Sequence, residues 1–155
     1  MKSLILTLCL LLGAATAAPV DLIAPDLDGR TRQLSEFRGK WVVANYWATW
    51  CPPCREEIPE LEVFHFNHKD KDAVVVGLNL EAISLDKLRD FVEEQFISYP
   101  ILRLGRRPAR MLGRVPGLPT TFLISPEGEI VARWVGPVTR EILERAIRRH
   151  REKAS

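Results

Sequence analysis

Two stretches of the chain are apolar at nearly every position. Residues 41–47 (WVVANYW) and 73–80 (AVVVGLNL) are short and rich in valine or aromatics. That combination predicts strands buried on both faces. Between them Ile58, Leu61 and Phe64 recur at helical spacing, with Glu56, Glu57, Glu60 and Glu62 interspersed. A helix is expected there, opened by Pro52 and Pro53 and starting at the second proline, because the first turn tolerates a missing N–H. A second helix is predicted after Ser84, a candidate N-cap, carrying Leu85, Leu88, Phe91, Val92 and Phe96. Tyr99–Leu102 reads as a short strand, and Pro108–Leu112 as a brief helical turn ended by Gly113. Thr120–Ile124 and Glu129–Val135 read as strands joined by a Pro126-Glu127-Gly128 turn. Thr139 then caps a last helix with Ile142, Leu143, Ala146 and Ile147 on one face. Upstream of all this, Asp28-Gly29 is a turn signal between 23–27 and 31–34, an edge hairpin. The early alternation of strands and helices implies parallel strands with helices on both faces. The final hairpin makes the sheet mixed, and the class is α/β.

The first 18 residues do not fit this pattern. Lys2 precedes an apolar run from Leu4 to Leu12 broken only by Thr7, then small residues 13–18, then Pro19. This is the order of a secretory signal peptide, with cleavage expected after Ala17 or Ala18. The alternative is an uncleaved segment holding the protein at the membrane, but 4–18 falls short of the roughly 20 residues that span a bilayer. Leu8 before Cys9 is not the small residue that lipidation needs. Residues 19–155 are then one exported, periplasmic domain. With 46% hydrophobic and 27% charged residues overall, the chain has the apolar content for a core. Residues 19–100 hold 9 basic and 15 acidic side chains, net −6, and 101–155 hold 12 and 5, net +7. The exported address and the interleaving of the arginines argue against a nucleic-acid partner. A docking surface for an acidic partner remains open. A monomer is expected.

Removal of the signal takes Cys9 with it and leaves Cys51 and Cys54, in a compartment where disulfides persist. They stand in Trp50-Cys51-Pro52-Pro53-Cys54, at the passage from strand to helix. Cys51 would sit beside unpaired N–H groups at the positive end of the helix dipole. In such motifs the thiol pKa falls from ~8.5 toward ~3.5–7.5, and the thiolate is the attacking species. Cys51, ahead of the helix, is expected to be exposed and to attack, and Cys54, more buried, to resolve. Half of a zinc site is the competing reading, but no second cysteine pair exists and His65, His68 and His150 show no ligand pattern, so no metal or cofactor is expected. An inert disulfide closing so small a loop would gain little entropy. Glu57, three residues after Cys54, projects from the same helical face and is a candidate to take or return its proton, or else a solvated helix glutamate. Pro119, in Gly117-Leu118-Pro119-Thr120-Thr121, opens a strand 68 positions after Cys51 and is a candidate bend.

The block Asn45–Arg55 with Glu57 and Pro59, followed by Val115–Ile124 and Pro126-Glu127-Gly128, resembles the thioredoxin superfamily, in its exported TlpA/ResA-like branch of disulfide reductases. The resemblance spans Ala24 to Ile147. It implies a thioredoxin-like fold with an extra helix and strand over 81–102. It also implies a proton-handling role for Glu57, and a cis-proline at Pro119 whose backbone pairs with an extended substrate. The substrate surface would comprise Trp50, Pro52, Pro53, Leu118 and Pro119. The implied partners are exported proteins with disulfides, such as cytochrome c apoproteins or copper-site cysteines, and a membrane thiol relay as electron donor. Two departures matter. Asn45 stands where cytosolic thioredoxins have a buried aspartate, and Thr120 stands where cytochrome-maturation reductases have an acid. A net oxidant and a copper-handling module on the same fold are the alternatives. The latter usually has a wider cysteine spacing and a distal histidine, absent near Pro119. A peroxidase would carry a hydroxyl residue where Ala48 is.

Overall fold

The computed structural model describes residues 19–105 and 111–154. The signal segment and residues 108–110 of the expected helical turn lie outside them. A five-stranded sheet forms the centre. Its strands are β3 (Trp41–Trp47), β4 (Ala73–Asn79), β5 (Ile101–Arg103), β6 (Thr120–Ile124) and β7 (Ile130–Val135), in the order β5-β4-β3-β6-β7. β3, β4 and β5 run parallel, and β6 and β7 are antiparallel to their neighbours, so the sheet is mixed as expected. β1 (Ile23–Pro25) and β2 (Thr31–Gln33) form the separate N-terminal hairpin. A bridge between Asp26 and Leu102 ties it to the β5 side.

Both central strands are buried along all seven residues. Their side chains alternate between two cores, as the period of two requires. Trp41, Val43, Trp47 and Val75 face one core; Val42, Ala44, Tyr46, Val74, Val76 and Leu78 face the other. The first core takes the apolar stripes of all three described α-helices: α1 (Pro52–His68), α2 (Leu85–Glu94) and α3 (Arg140–Ala154). Among the described residues the other face carries the short 3-10 helix Leu34–Phe37, whose Leu34 enters the second core. Among the described residues the second face is covered by the N-terminal segment, through Leu22, Ala24 and Leu34, and by Leu104 and Leu112.

Ser84 caps α2 by accepting from the Lys87 N–H at 3.4 Å. The helix stops sooner than its apolar pattern implies. Phe96 adopts φ 53 and is 85% exposed, so it is not a core residue. The left-handed turn at Phe96 rotates the chain, and Ile97 enters the core instead, its N–H donating to the Val92 carbonyl.

Gly77 lies opposite Asn45 in the β3–β4 register. A Cβ there would come within 2.6 Å of Ile101 Cδ1 and 2.9 Å of Trp47 Nε1. The rings of Trp47 and Tyr99 close over this gap, and Trp47 is held from outside by Phe91, centroids 5.6 Å apart. Gly77→Ala is expected to cost about 1–3 kcal/mol by overpacking. The midpoint of denaturant unfolding measures it.

Candidate active site

β3 ends at Trp47 and α1 starts at Pro52, so residues 48–51 form the loop that presents the cysteines. Cys51 is the N-cap of α1 in extended conformation, and its sulfur accepts the Cys54 N–H at 3.4 Å. Cys51 and Cys54 form a disulfide with Cα atoms 5.3 Å apart. The helix begins one residue earlier than expected, and this changes the electrostatics. Pro52 and Pro53 fill its first two positions, and neither carries an N–H. Of the first three helical positions, only Cys54 offers a donor to the Cys51 sulfur.

Exposure also departs from expectation. Cys51 is 3% exposed and Cys54 1%, so Cys51 is not an exposed residue in the disulfide form. With its sulfur bonded to Cys54, it folds back into the apolar cluster of Trp47, Ala48 and Ile58. Trp50 beside it is 70% exposed, Pro52 is exposed and Pro53 half-buried.

Glu57 is buried, at 2% exposure, although its neighbour Glu56 lies in solvent. Its carboxyl reaches into the sheet. Oε1 accepts from Asn45 Nδ2 at 2.7 Å, and Oε2 accepts the Val138 N–H at 3.0 Å. Asn45 also donates to Thr121 Oγ1 at 3.0 Å. Burial pushes the Glu57 pKa up to about 7, against the pull of the Val138 and Asn45 hydrogen bonds toward a lower value. Asn45, which stands where cytosolic thioredoxins have a buried aspartate, is therefore the direct partner of the Glu57 carboxyl.

The Leu118–Pro119 peptide bond is cis. Pro119 is buried and Leu118 half-buried. Pro119 can offer a substrate only its carbonyl. It has no N–H, and its carbonyl already accepts the Gly136 N–H at 2.8 Å. Among the described residues no backbone hydrogen bond engages Leu118, so its main-chain groups are open.

Glu81 was not legible as a site residue. Its Oε2 accepts the Thr49 N–H at 2.7 Å and Asn79 Nδ2 at 2.9 Å, and its Oε1 accepts the Thr49 hydroxyl at 2.8 Å. The carboxylate thus clamps the loop two residues before Cys51. The only sequence signal is an acid directly after a buried strand, at the carboxyl end where parallel sheets place their sites.

A Cys-x-x-Cys disulfide at a helix N-terminus, with a cis-proline at the start of an antiparallel strand, on a sheet of this order, defines a thioredoxin-fold thiol–disulfide oxidoreductase. Comparison with known proteins agrees. The AhpC/TSA family model matches residues 15–133. The thiol-disulfide oxidoreductase ResA of Halalkalibacterium halodurans is 34% identical over 134 residues, covering 86% of this chain and 75% of that protein. Two solved structures superpose with a TM-score of 0.76. One is a DsbF homologue from Corynebacterium diphtheriae, 31% identical, covering 85% of each chain. The other is a secreted thiol-disulfide isomerase from Corynebacterium glutamicum, 28% identical, covering 83% of this chain and 81% of that one. The chain belongs to the AhpC/TSA family, within the thioredoxin superfamily.

The raised Glu57 pKa has a consequence for stability. The folded protein holds the Glu57 proton more tightly than the unfolded chain, whose value is near 4.5. Its contribution is full below about pH 4.5 and is lost as pH rises through about 7, a swing on the order of 3 kcal/mol. Unfolding of the oxidised protein across pH 4 to 8 is expected to show this decline, and Glu57→Gln to flatten it. An unchanged profile in the variant would place the titration elsewhere.

Proposed function

We propose that the protein reduces disulfides of exported proteins, with Cys51 as the attacking sulfur, Cys54 as the resolving sulfur and Glu57 as the proton handler. The observation that carries the reading is the Glu57 carboxyl. It is buried one helical turn beyond Cys54, is tied to Val138 in the same apolar cluster as both cysteines, and is poised to titrate near pH 7. Export is supported by the signal-like residues 1–18, proposed to be cleaved, and by the secreted relative.

The structure is the oxidised state. A donor dithiol, assigned to a membrane thiol relay, first reduces it. The Cys51 thiolate then attacks one sulfur of a client disulfide. The client S–S bond breaks, its second sulfur leaves as a thiolate and takes up a proton, and a mixed disulfide remains. Glu57, as carboxylate, accepts the Cys54 proton, and Cys54 attacks the Cys51 sulfur. The mixed disulfide breaks and the other client sulfur leaves. The client has gained two electrons and two protons, and Cys51–Cys54 is a disulfide again. Trp50, Pro52, Pro53, Leu118 and Pro119 form the surface the client lies on, in an extended conformation that Leu118 can hydrogen-bond. Cytochrome c apoproteins and copper-site proteins are the client classes the resemblance suggests.

Cys51→Ser is expected to abolish insulin reduction, and Cys54→Ser to accumulate mixed disulfides with periplasmic proteins, read on non-reducing gels. Full activity in Cys51→Ser would overturn the assignment. Direction of electron flow is tested by equilibrating the pair against glutathione. The expected potential lies near the about −270 mV of a reductant, and a value near −120 mV would make the protein an oxidant.

A further inference from the structure

Beside the redox pair is an open cavity of about 590 Å³, within the ~300–1,000 Å³ range of ligand sites. It lies between three segments. Trp50 comes from the redox loop, Leu118 from the cis-proline loop, and Leu80, Glu81, Ile83 and Lys87 from the link into α2 and its first turn. Its lining is mixed: Trp50, Leu80, Ile83 and Leu118 supply apolar surface, and its two charged residues are Glu81 and Lys87.

These two charges are not equivalent. Glu81 is engaged by the Thr49 N–H, the Thr49 hydroxyl and Asn79, so its oxygens face the protein. Lys87 is exposed and forms no salt bridge among the described residues. The adjacent Asp86 faces Arg89 instead, 3.9 Å away. Lys87 is therefore the cavity's unengaged charge, beside the apolar side chains of Trp50 and Ile83.

We propose that this cavity is a specificity subsite for client segments in which an apolar side chain and a carboxylate flank the cysteine. The proposal rests on the exchange chemistry argued above and names the clients it favours. An extended client paired with Leu118 alternates its side chains. The cysteine meets Cys51, an apolar neighbour packs against Trp50 and Ile83, and the carboxylate pairs with Lys87.

The test uses three synthetic peptides whose single cysteine is held in a mixed disulfide with thionitrobenzoate. They carry Leu-Glu, Leu-Gln or Leu-Lys beside the cysteine. The Cys51 thiolate of the reduced protein attacks the peptide sulfur, the peptide–thionitrobenzoate bond breaks, and the coloured thionitrobenzoate anion leaves. Cys54 then closes on Cys51 and frees the peptide thiol, so the two electrons come from the protein dithiol. At low salt the glutamate peptide is expected to exceed the lysine peptide in kcat/KM by about fivefold, the scale of an exposed ion pair replaced by a repulsion. Lys87→Glu is expected to invert the order, and 1 M salt to flatten it. Each ratio is taken within one protein, so a loss of folded material in the variant cancels. An identical ratio in the parent and in Lys87→Glu overturns the subsite. Failure of the parent to release thionitrobenzoate from any peptide overturns the exchange reading itself, and the subsite with it.

Discussion

The structure turns on one buried carboxyl. Glu57 leaves the solvent face of its helix and enters an apolar core, where an unpaired acid would be costly. Two donors meet it there, from parts of the chain far apart: Asn45 on β3 and the Val138 N–H just before α3. Asn45 reaches Thr121 on β6 as well. The polar group therefore fixes the seating of α1 on the sheet and of the β7–α3 connection on α1. The helix that carries the cysteines cannot shift along the sheet without orphaning at least one of these groups.

In the proposed mechanism the same residue couples stability to chemistry. A carboxyl that is half protonated near neutral pH is ready to exchange a proton with a buried thiol. The surrounding architecture keeps it so. The apolar cluster withholds water, and the donors are one amide and one side-chain nitrogen rather than a cation. An arginine here would hold the acid ionised, and it could no longer return a proton. On the other side of the redox loop the Glu81 carboxylate is tied to Thr49 and Asn79. One acid anchors the loop that leads into the disulfide, and the other titrates behind it.

Much of this was legible in the residues. The two all-buried strands, the terminal hairpin, the Ser84 cap and the disulfide follow from local patterns, because period and turn chemistry act over a few residues. What the chain does not display is long-range. The 81-residue separation of Glu57 and Val138 leaves no local signal, and by pattern Glu57 looks like Glu56. The end of α2 was misjudged because Phe96 continues the apolar spacing, while the left-handed turn beneath it answers to the core's need for Ile97. The burial of Cys51 was missed because a position ahead of the helix suggests exposure, whereas Cys51 belongs to the apolar cluster of Trp47, Ala48 and Ile58.

The two prolines between the cysteines also shape how a client can be gripped. An incoming segment finds no main-chain donor at position 52 or 53 and none at Pro119, whose carbonyl already accepts the Gly136 N–H. Leu118 offers both a donor and an acceptor. The slot is lopsided: one bank supplies sulfur and the other supplies purchase.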